Sequence, residues 1–251
     1  RPPRSTLFPY TTLFRSKVHI DGLIDSLEAA KEDDQAAKEQ LLRRVLGTLK
    51  QIGTEKMEDV LSGVIDSLPS LARELGKETP IIQIDGNSIV VRTQIADLLK
   101  NVFMHLLRNS IDHGIETAEQ RVAQGKSPAG TISLGLSISD GKLWLRLRDD
   151  GRGLGMRFIR NKAIDSGLIA ENQSVSPEEL AQLIFAPGFS TASTVTEVSG
   201  RGVGMDAVKG FVERERGTIE LRFLNEDSDS EFRQFETVIS LPESFAVRLS
   251  A

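Results

Sequence analysis

The first third of the chain is patterned as amphipathic helices, with apolar residues at three- and four-residue steps. A charged break at Glu32–Asp34 separates the first stripe from the second, and Gly53-Thr54 is predicted to stop one helix and cap the next. Pro69 is placed to begin a final short helix, which Gly76 ends. The three stripes are Ile20, Leu23, Leu27 and Ala30; Leu41, Leu42, Val45, Leu46, Leu49 and Ile52; and Val60, Leu61, Val64, Ile65, Leu68, Leu71, Ala72 and Leu75.

Residues 17–76 are therefore interpreted as a helical lead-in, for which two interpretations stay open. One is a hairpin that forms a homodimer and positions a catalytic domain; the other is ordinary amphipathic helices that pack on their own domain. Residues 1–16 contain a near-repeat, Ser5–Phe8 and Thr11–Phe14, and resemble translated adapter or vector sequence. We exclude them from the fold as non-native.

The remainder, residues 77–251, alternates between strand and helix signals. Ile81–Asp85 reads as a strand, with Val90-Val91 as its predicted hairpin partner. Thr131–Ser139 and the alternating leucines after it flank Asp140-Gly141, which is the strongest hairpin signal in the chain. Helices are predicted from Thr93, over Phe158–Gly167 and from Pro177, and two closing strands over Thr218–Phe223 and Phe235–Leu241. Mixed strands with grouped helices favour an α+β fold, an α/β sandwich, over a doubly wound sheet.

The helix predicted after Thr93 carries a second, polar face. His105, Asn109, Asp112 and His113 fall three or four positions apart, so they share one side of the helix. The amide oxygen of Asn109 is a candidate ligand for Mg²⁺, which prefers oxygen ligands. One turn earlier, His105 is a candidate general base or hydrogen-bond donor. Local hydrogen bonds at the edge of the core are the alternative for both side chains.

A second polar stretch follows the hairpin directly, at Asp149-Asp150-Gly151-Arg152-Gly153. A carboxylate at a strand end can accept a hydrogen bond from an exocyclic amine such as that of adenine, and Asp149 is the candidate. Gly151 and Gly153 lack a Cβ and would let the backbone approach a base closely. The same pattern is common in simple turns, and its position after the hairpin favours the functional interpretation.

A glycine run opens the last helix, at Gly200-Arg201-Gly202-Val203-Gly204. Free N–H groups and the helix dipole make such a terminus a phosphate site, to which Arg201 could add its charge. No strand precedes these glycines and no Gly-Lys-Ser/Thr is present, which excludes the Rossmann and Walker patterns. The small and hydroxyl residues of 186–199 suit a lid that orders over a ligand, or else a surface loop.

Composition excludes several other functions. The net charge is −5, so attraction to nucleic acid or to an acidic membrane surface is not expected. The chain has no cysteine and only three histidines, which excludes disulfides and thiolate zinc sites and disfavours a multi-histidine metal site. No apolar run approaches the ~20 residues that a membrane-spanning helix needs. We therefore expect a cytoplasmic protein.

Four stretches together resemble the ATP-binding catalytic domain of histidine kinases, within the gyrase, Hsp90, histidine kinase and MutL group. The likeness is to chemotaxis-type sensor kinases, runs from about residue 60 to residue 243, and matches the N, G1, F and G2 boxes in order. The stretches are HLLRNSIDHGIE at His105–Glu116, DDGRGL at Asp149–Leu154, LIFAPGFSTA at Leu183–Ala192 and VSGRGVGMDAVK at Val198–Lys209.

The resemblance implies a Bergerat-type ATPase domain, a mixed sheet with helices on one face and ATP beneath a lid. It implies that Asn109 holds Mg²⁺, that Asp149 holds the adenine amine and that His105 stands where related ATPases place a glutamate base. The residues implied near the phosphates or shaping the pocket are Asp112, His113, Gly151, Gly153, Gly200, Gly202 and Gly204.

The implied activity is that of an ATP-dependent protein histidine kinase in two-component signalling. The γ-phosphate would pass to a histidine on a separate phosphoacceptor domain, and from there to a response regulator. One departure is Gly155, which stands where chemotaxis-type kinases have aspartate. An ATP-binding regulatory module without phosphotransfer is the alternative. A serine kinase acting on a regulatory protein is a third, against which the chemotaxis-like boxes argue.

Overall fold

The computed structural model describes residues 21–22, 24, 35–86, 88–189, 204–224 and 231–249. The helices are α1 (Gln35–Gln51), α2 (Met57–Ile65), α3 (Leu68–Glu74), α4 (Ala96–Asn109), α5 (Ala118–Ala123), α6 (Met156–Asp165), α7 (Pro177–Gln182) and α8 (Met205–Arg214). The strands are β1 (Thr54–Lys56), β2 (Ile81–Asp85), β3 (Ile89–Arg92), β4 (Thr131–Ser139), β5 (Lys142–Asp149), β6 (Leu154–Gly155), β7 (Thr218–Phe223), β8 (Phe232–Arg233), β9 (Phe235–Pro242) and β10 (Ala246–Arg248). Short 3₁₀ turns occupy Thr93–Ile95, Leu183–Phe185 and Glu243–Phe245, and a π-turn occupies Ser110–Gly114.

A five-stranded mixed sheet forms the centre, in the order β2-β4-β5-β9-β7. Only the β2–β4 pair in it is parallel, and the other three pairs are antiparallel. The predicted hairpin is confirmed, with Leu134 opposite Leu147 and Leu136 opposite Leu145. Its turn places Asp140 and Gly141 at positive φ, as the Asp-Gly signal predicts. The predicted closing strands pair with each other as β7 and β9.

One face of this sheet is buried against the helices. Alternate residues of β4 and β5 are buried while the residues between them stay partly exposed. Phe103 and Leu107 of α4 and Val208 of α8 belong to the same hydrophobic cluster as Ile132 and Leu145 of the sheet. Burial of these side chains is the main favourable term for folding. The predicted α+β sandwich, with a mixed sheet and helices, is confirmed.

The predicted pairing of Val90-Val91 with the strand at Ile81–Asp85 is wrong. β3 lies instead in a separate three-stranded sheet, between β1 and β10, while β2 pairs in parallel with β4. The residues of β3 explain this, because Ile89, Val90 and Val91 are all buried. A strand covered on both faces needs neighbours that a two-stranded hairpin cannot supply.

The predicted helix cap at Thr54 is also wrong. Thr54 begins β1, which pairs with β3, and α2 starts only at Met57. The predicted start of α3 is confirmed, since Pro69 lies in its first turn. Gly76, in the left-handed region with a φ of 65°, follows the helix that it was predicted to end.

Most of the lead-in packs into the catalytic half. Met57, Leu61, Leu68 and Ala72 are buried and belong to the main cluster, so that core crosses the boundary predicted between residues 76 and 77. For α2 and α3, packing on their own domain describes the structure. α1 differs, because Leu42, Leu46 and Leu49 are exposed, and its role in a dimer stays a prediction. No helix in the described ranges is both long and apolar enough to cross a membrane.

Candidate nucleotide site

The predicted polar residues His105, Asn109, Asp112 and His113 lie on α4 and on the turn that follows it, at the edge of the core. Its buried side carries Phe103 and Leu107, and the helix then widens into the π-turn Ser110–Gly114. Such π-turns recur at functional sites. The ammonium of Lys77 donates to the carbonyl oxygens of Ile111 at 2.6 Å and Asp112 at 2.7 Å, which holds the turn. Burial is the main reason that the pKa of Lys77 lies below its usual value.

A cavity of about 420 Å³ opens beside this turn. It is bounded by α4, by the end of β5 and the loop after it, by α6 and by the start of α8. Six of the residues predicted from the sequence line it: Asn109, Asp112, His113, Asp149, Gly153 and Gly204. Its volume falls within the range of small-molecule sites, which are lined mostly by apolar groups with a few converging polar ones.

Asp149 is a partly buried carboxylate in the lining of this cavity. Its Oδ1 accepts a hydrogen bond from the Gly151 amide at 3.1 Å, and Ser110 donates another hydrogen bond to the carboxyl group. Burial raises the pKa of Asp149, and these hydrogen bonds oppose that effect only in part. The side chain is thus poised to receive a donor from a ligand in the cavity.

Two glycines make room for this carboxylate. A Cβ on Gly114 would lie 2.9 Å from Oδ1 and 3.0 Å from Oδ2 of Asp149. A Cβ on Gly151 would lie 2.3 Å from the Gly114 carbonyl oxygen, so the two segments touch through their backbones. The Arg152 amide also donates to the Gly114 carbonyl at 2.9 Å. The close approach predicted for Gly151 is therefore present, although Gly151 lies behind Asp149 rather than among the lining residues of the cavity.

Gly153 and Asn109 lie on opposite walls. Gly153 has a φ of 86°, and a Cβ there would come within 2.6 Å of the Arg233 carbonyl oxygen. The Asn109 amide nitrogen donates to the sulfur of Met205 at 3.1 Å, which connects the end of α4 to the start of α8. The helix that begins there is the one predicted to open with the glycine run, and Gly204 precedes it directly.

Besides Gly151, four predicted residues are not placed in the cavity. His105 is half-buried one turn before Asn109 but does not line the cavity formed by the described residues. Burial first, and the neighbouring Arg108 second, hold the pKa of His105 below its usual value, so its imidazole is neutral at pH 7. Gly200, Arg201 and Gly202, with the lid beyond Phe189, lie outside the described residues.

Besides Arg148 near the end of β5, sequence reasoning missed two cations in the cavity wall, Arg152 and Lys162. Lys162 lies on α6 with its ammonium 5.2 Å from the centre of the Phe189 ring, and burial lowers its pKa. Both read as ordinary surface charges in the sequence, because a cation on an amphipathic helix or in a glycine turn is usually solvated. Their shared position in one wall is visible only in the fold.

The lining suits a nucleotide with a magnesium ion. The lining contains a partly buried carboxylate, a helix start and several cations, and a close-packed glycine pair lies next to the carboxylate. No group of three or more His, Cys, Asp or Glu side chains among the described residues could hold a metal alone. The role of the Asn109 amide oxygen as a magnesium ligand stays a prediction.

Comparison with known proteins agrees with this geometry. The Chemotaxis protein CheA of Rhizobium meliloti (strain 1021) is 38% identical over 183 residues, which are 73% of this chain and 24% of that protein. The Chemotaxis protein CheA of Borreliella burgdorferi is 38% identical over 218 residues, which are 80% of this chain and 25% of that protein. The chain thus spans about a quarter of the length of these relatives.

Among solved structures, the Mycobacterial sensor histidine kinase MprB is 18% identical, with a TM-score of 0.43. That match covers 72% of this chain and 93% of the other, and the family assignment does not depend on it. The assignment rests on residues 94–244, more than half of the chain, which match one family of ATP-binding domains. The chain belongs to the histidine kinase-, DNA gyrase B- and HSP90-like ATPase family.

Proposed function

We propose that this chain is the catalytic core of a protein histidine kinase. In this proposal it binds Mg-ATP in the cavity and transfers the γ-phosphoryl group to a histidine on a separate phosphoacceptor domain, which then supplies a response regulator. The observation that carries the proposal is the partly buried Asp149 carboxylate, placed by two glycines in a mostly apolar cavity that also has cations in its lining. The family and the named chemotaxis relatives support it.

Each residue has a defined part in this proposal. Asp149 accepts the hydrogen bond of the adenine amine, a strong bond because the acceptor is charged and partly desolvated. Lys162 and Arg152 face the phosphates, together with Asp112 and His113. Gly204 directly precedes α8, whose first N–H groups are free, and it contributes a phosphate contact. Gly200, Arg201 and Gly202 contribute further phosphate contacts in this proposal.

Asn109 and His105 act nearest the transferred group. The Asn109 amide oxygen would bind the magnesium ion, whose charge neutralises the phosphate oxygens, while its amide nitrogen is the atom that donates to Met205. His105, neutral at pH 7, would serve as general base or hydrogen-bond donor once the acceptor domain is docked. The chain's own residues mainly position the nucleotide, which is what phosphoryl transfer needs most.

Two matched substitutions test the proposal. Asn109→Ala and Asp149→Ala are expected to abolish phosphorylation of an isolated histidine-phosphoacceptor domain from a chemotaxis kinase, measured with radiolabelled ATP. Asn101→Ala, on the exposed side of the same helix, and Asp85→Ala, at the exposed end of β2, are the controls and should retain it. Full activity in both site variants would refute the proposal.

An ATP-binding regulatory module without phosphotransfer is the second candidate. The observation that favours it is Gly155, at the start of α6, in the place where chemotaxis-type kinases have aspartate. A Cβ on Gly155 would lie 3.3 Å from the Phe232 ring, so an aspartate there requires that ring to shift. Tight binding of ATP with no transfer to any acceptor domain tested would favour this candidate.

The proposed assembly is a homodimer formed through α1. Leu42, Leu46 and Leu49 lie on one face of this helix at steps of four and three, and each is about half exposed. Light scattering should report a dimer for the wild type and a monomer for Leu46→Glu. A monomeric wild type at micromolar concentration would rule out this part of the proposal.

A further inference from the structure

Behind the nucleotide cavity lies a group of four charged residues, which we call the ion cluster: Glu116, Arg121, Lys126 and Asp150. Arg121 is fully buried, and its guanidinium donates to Glu116 Oε2 at 3.0 Å and to Asp150 Oδ2 at 2.8 Å. Lys126 donates to Glu116 Oε1 at 2.8 Å. Burial raises the pKa of Glu116, but the hydrogen bonds from Lys126 and Arg121 outweigh burial and hold this pKa below its usual value.

The ion cluster also binds the backbone that follows Asp149. The Lys126 ammonium donates to the carbonyl oxygens of Asp150 at 3.0 Å and Gly151 at 3.1 Å. Arg121 donates to the Asp150 carbonyl at 3.3 Å, and Asp150 Oδ1 accepts from the Thr131 amide at 2.8 Å. Two consecutive peptide groups are thereby held by side chains that do not line the cavity.

These peptide groups determine where the Asp149 carboxylate lies. The Gly151 amide donates a hydrogen bond to Asp149 Oδ1 at 3.1 Å. The carbonyl oxygen of the same residue accepts a hydrogen bond from Lys126. Glu116 follows the π-turn by two residues, so the cluster joins both segments that meet around Asp149. The direction of a carboxylate on a short side chain depends on its backbone as well as on its own hydrogen-bond donors, and polar partners behind a binding residue commonly fix that backbone.

We propose that Lys126 and Arg121 are positioning residues for base recognition: they hold the Asp150 and Gly151 peptides so that Asp149 faces the adenine amine. This rests on the proposed function, in which Asp149 reads the base. Neither side chain lines the nucleotide cavity, and Lys126 lines instead a neighbouring pocket together with Glu116 and Gly151. Lys126 is the residue to test, because its side chain is 31% exposed. The side chain of Arg121 is 1% exposed, and its removal would cost the buried Glu116 one of its two partners.

The test compares the affinities for Mg-ATP and Mg-inosine triphosphate, which carries an oxygen in place of the 6-amino group. Lys126→Met keeps the aliphatic stem and removes the charge. It is expected to lower the ratio of ATP affinity to inosine triphosphate affinity about tenfold, by weakening only the ATP complex. Lys100→Met, which removes an exposed surface ion pair with Asp97, is the matched control and should leave the ratio unchanged. Binding is measured by calorimetry well below the melting temperature of each protein.

The outcomes separate this inference from the function on which it rests. An unchanged ratio in Lys126→Met, or an equal loss of both nucleotides, would overturn the positioning role while leaving the assignment of Asp149 intact. A wild type that does not prefer ATP would overturn the assignment of Asp149 and this inference together. If Lys126→Met shows no cooperative melting, Lys126→Gln is measured instead, and an unchanged ratio there has the same meaning.

Discussion

Substitution of Gly114 by alanine gives the sharpest steric test of the site. The backbone of Gly114 is not in the left-handed region, so alanine can adopt its conformation. The added methyl group would lie 2.9 Å from Oδ1, 3.0 Å from Oδ2 and 3.2 Å from Cγ of Asp149. Ordinary van der Waals contact begins at 3.4 Å, so the carboxylate must retreat by about 0.5 Å.

The magnitude follows from what the carboxylate loses. Displacing it strains its rotamer and its bond to Gly151, which costs about 1 kcal/mol of folding stability. The larger effect falls on the ligand, because a hydrogen bond to a charged group contributes about 1.5–3 kcal/mol. We therefore expect Gly114→Ala to weaken ATP binding roughly 10- to 100-fold while the domain still folds.

The assay measures the ATP dissociation constant by calorimetry and the free energy of unfolding by urea titration. Gly63→Ala is the control, because a Cβ there meets nothing within 4 Å in helix α2. It should bind ATP like the wild type and be more stable by about 0.5–1 kcal/mol. Gly151→Ala should lose both stability and binding, since its methyl group would overlap the Gly114 backbone at 2.3–2.4 Å. If Gly114→Ala binds ATP within about threefold of the wild type, Asp149 does not contact the bound nucleotide.

Three further predictions follow from the same site. Because burial raises the pKa of Asp149, the folded state keeps a proton that the unfolded chain has released, and wild-type stability falls as pH rises through that raised pKa. Asp149→Asn should therefore melt at a higher temperature than the wild type at neutral pH without nucleotide, and this gain should shrink on acidification; a loss of stability would contradict the desolvation argument. His105→Gln should reduce phosphotransfer about 10²- to 10⁴-fold with ATP affinity unchanged, and wild-type transfer should persist below pH 6.5, because the pKa of His105 is lowered. Chelation of magnesium by EDTA should weaken ATP binding to the wild type but not to Asn109→Ala; equal sensitivity in both would remove Asn109 from the metal.

The elements that the sequence predicted correctly are those with a local cause. Strict alternation around Asp140-Gly141 specifies a hairpin through its own pleat and turn, and no distant residue is needed. Ser176 and Glu179 form a complete capping box at the start of α7, next to the proline that suggested it. The polar row on α4 follows from the helical period alone, which is why Asn109, Asp112 and His113 reach one cavity.

The failures have a non-local cause. The sequence predicts that Val90-Val91 pairs with the preceding strand, because strands that are neighbours in sequence usually pair. In the structure the partners of β3 are residues 54–56 and 246–248, which are distant in sequence on either side. Pairing of strands so distant in sequence carries an entropic cost of loop closure, which is offset by packing of the whole core and not by the strand alone. Lys77 illustrates the same limit, because its acceptors at Ile111 and Asp112 are 34 and 35 residues away.

The burial of charged residues is the feature that the sequence pattern predicts least well, and here it bears directly on the proposed function. In the sequence, Glu116 and Arg121 are charges on a short helix and its approach, a pattern that indicates solvent exposure. In the structure both side chains are buried. They form an ion pair with each other, and Arg121 also donates a hydrogen bond to the Asp150 carbonyl beside Asp149. Burying such a pair adds little stability compared with an apolar pair of similar volume. A cluster of this kind is therefore better explained by what it holds in place, and the peptides it holds are those that aim the carboxylate into the nucleotide cavity.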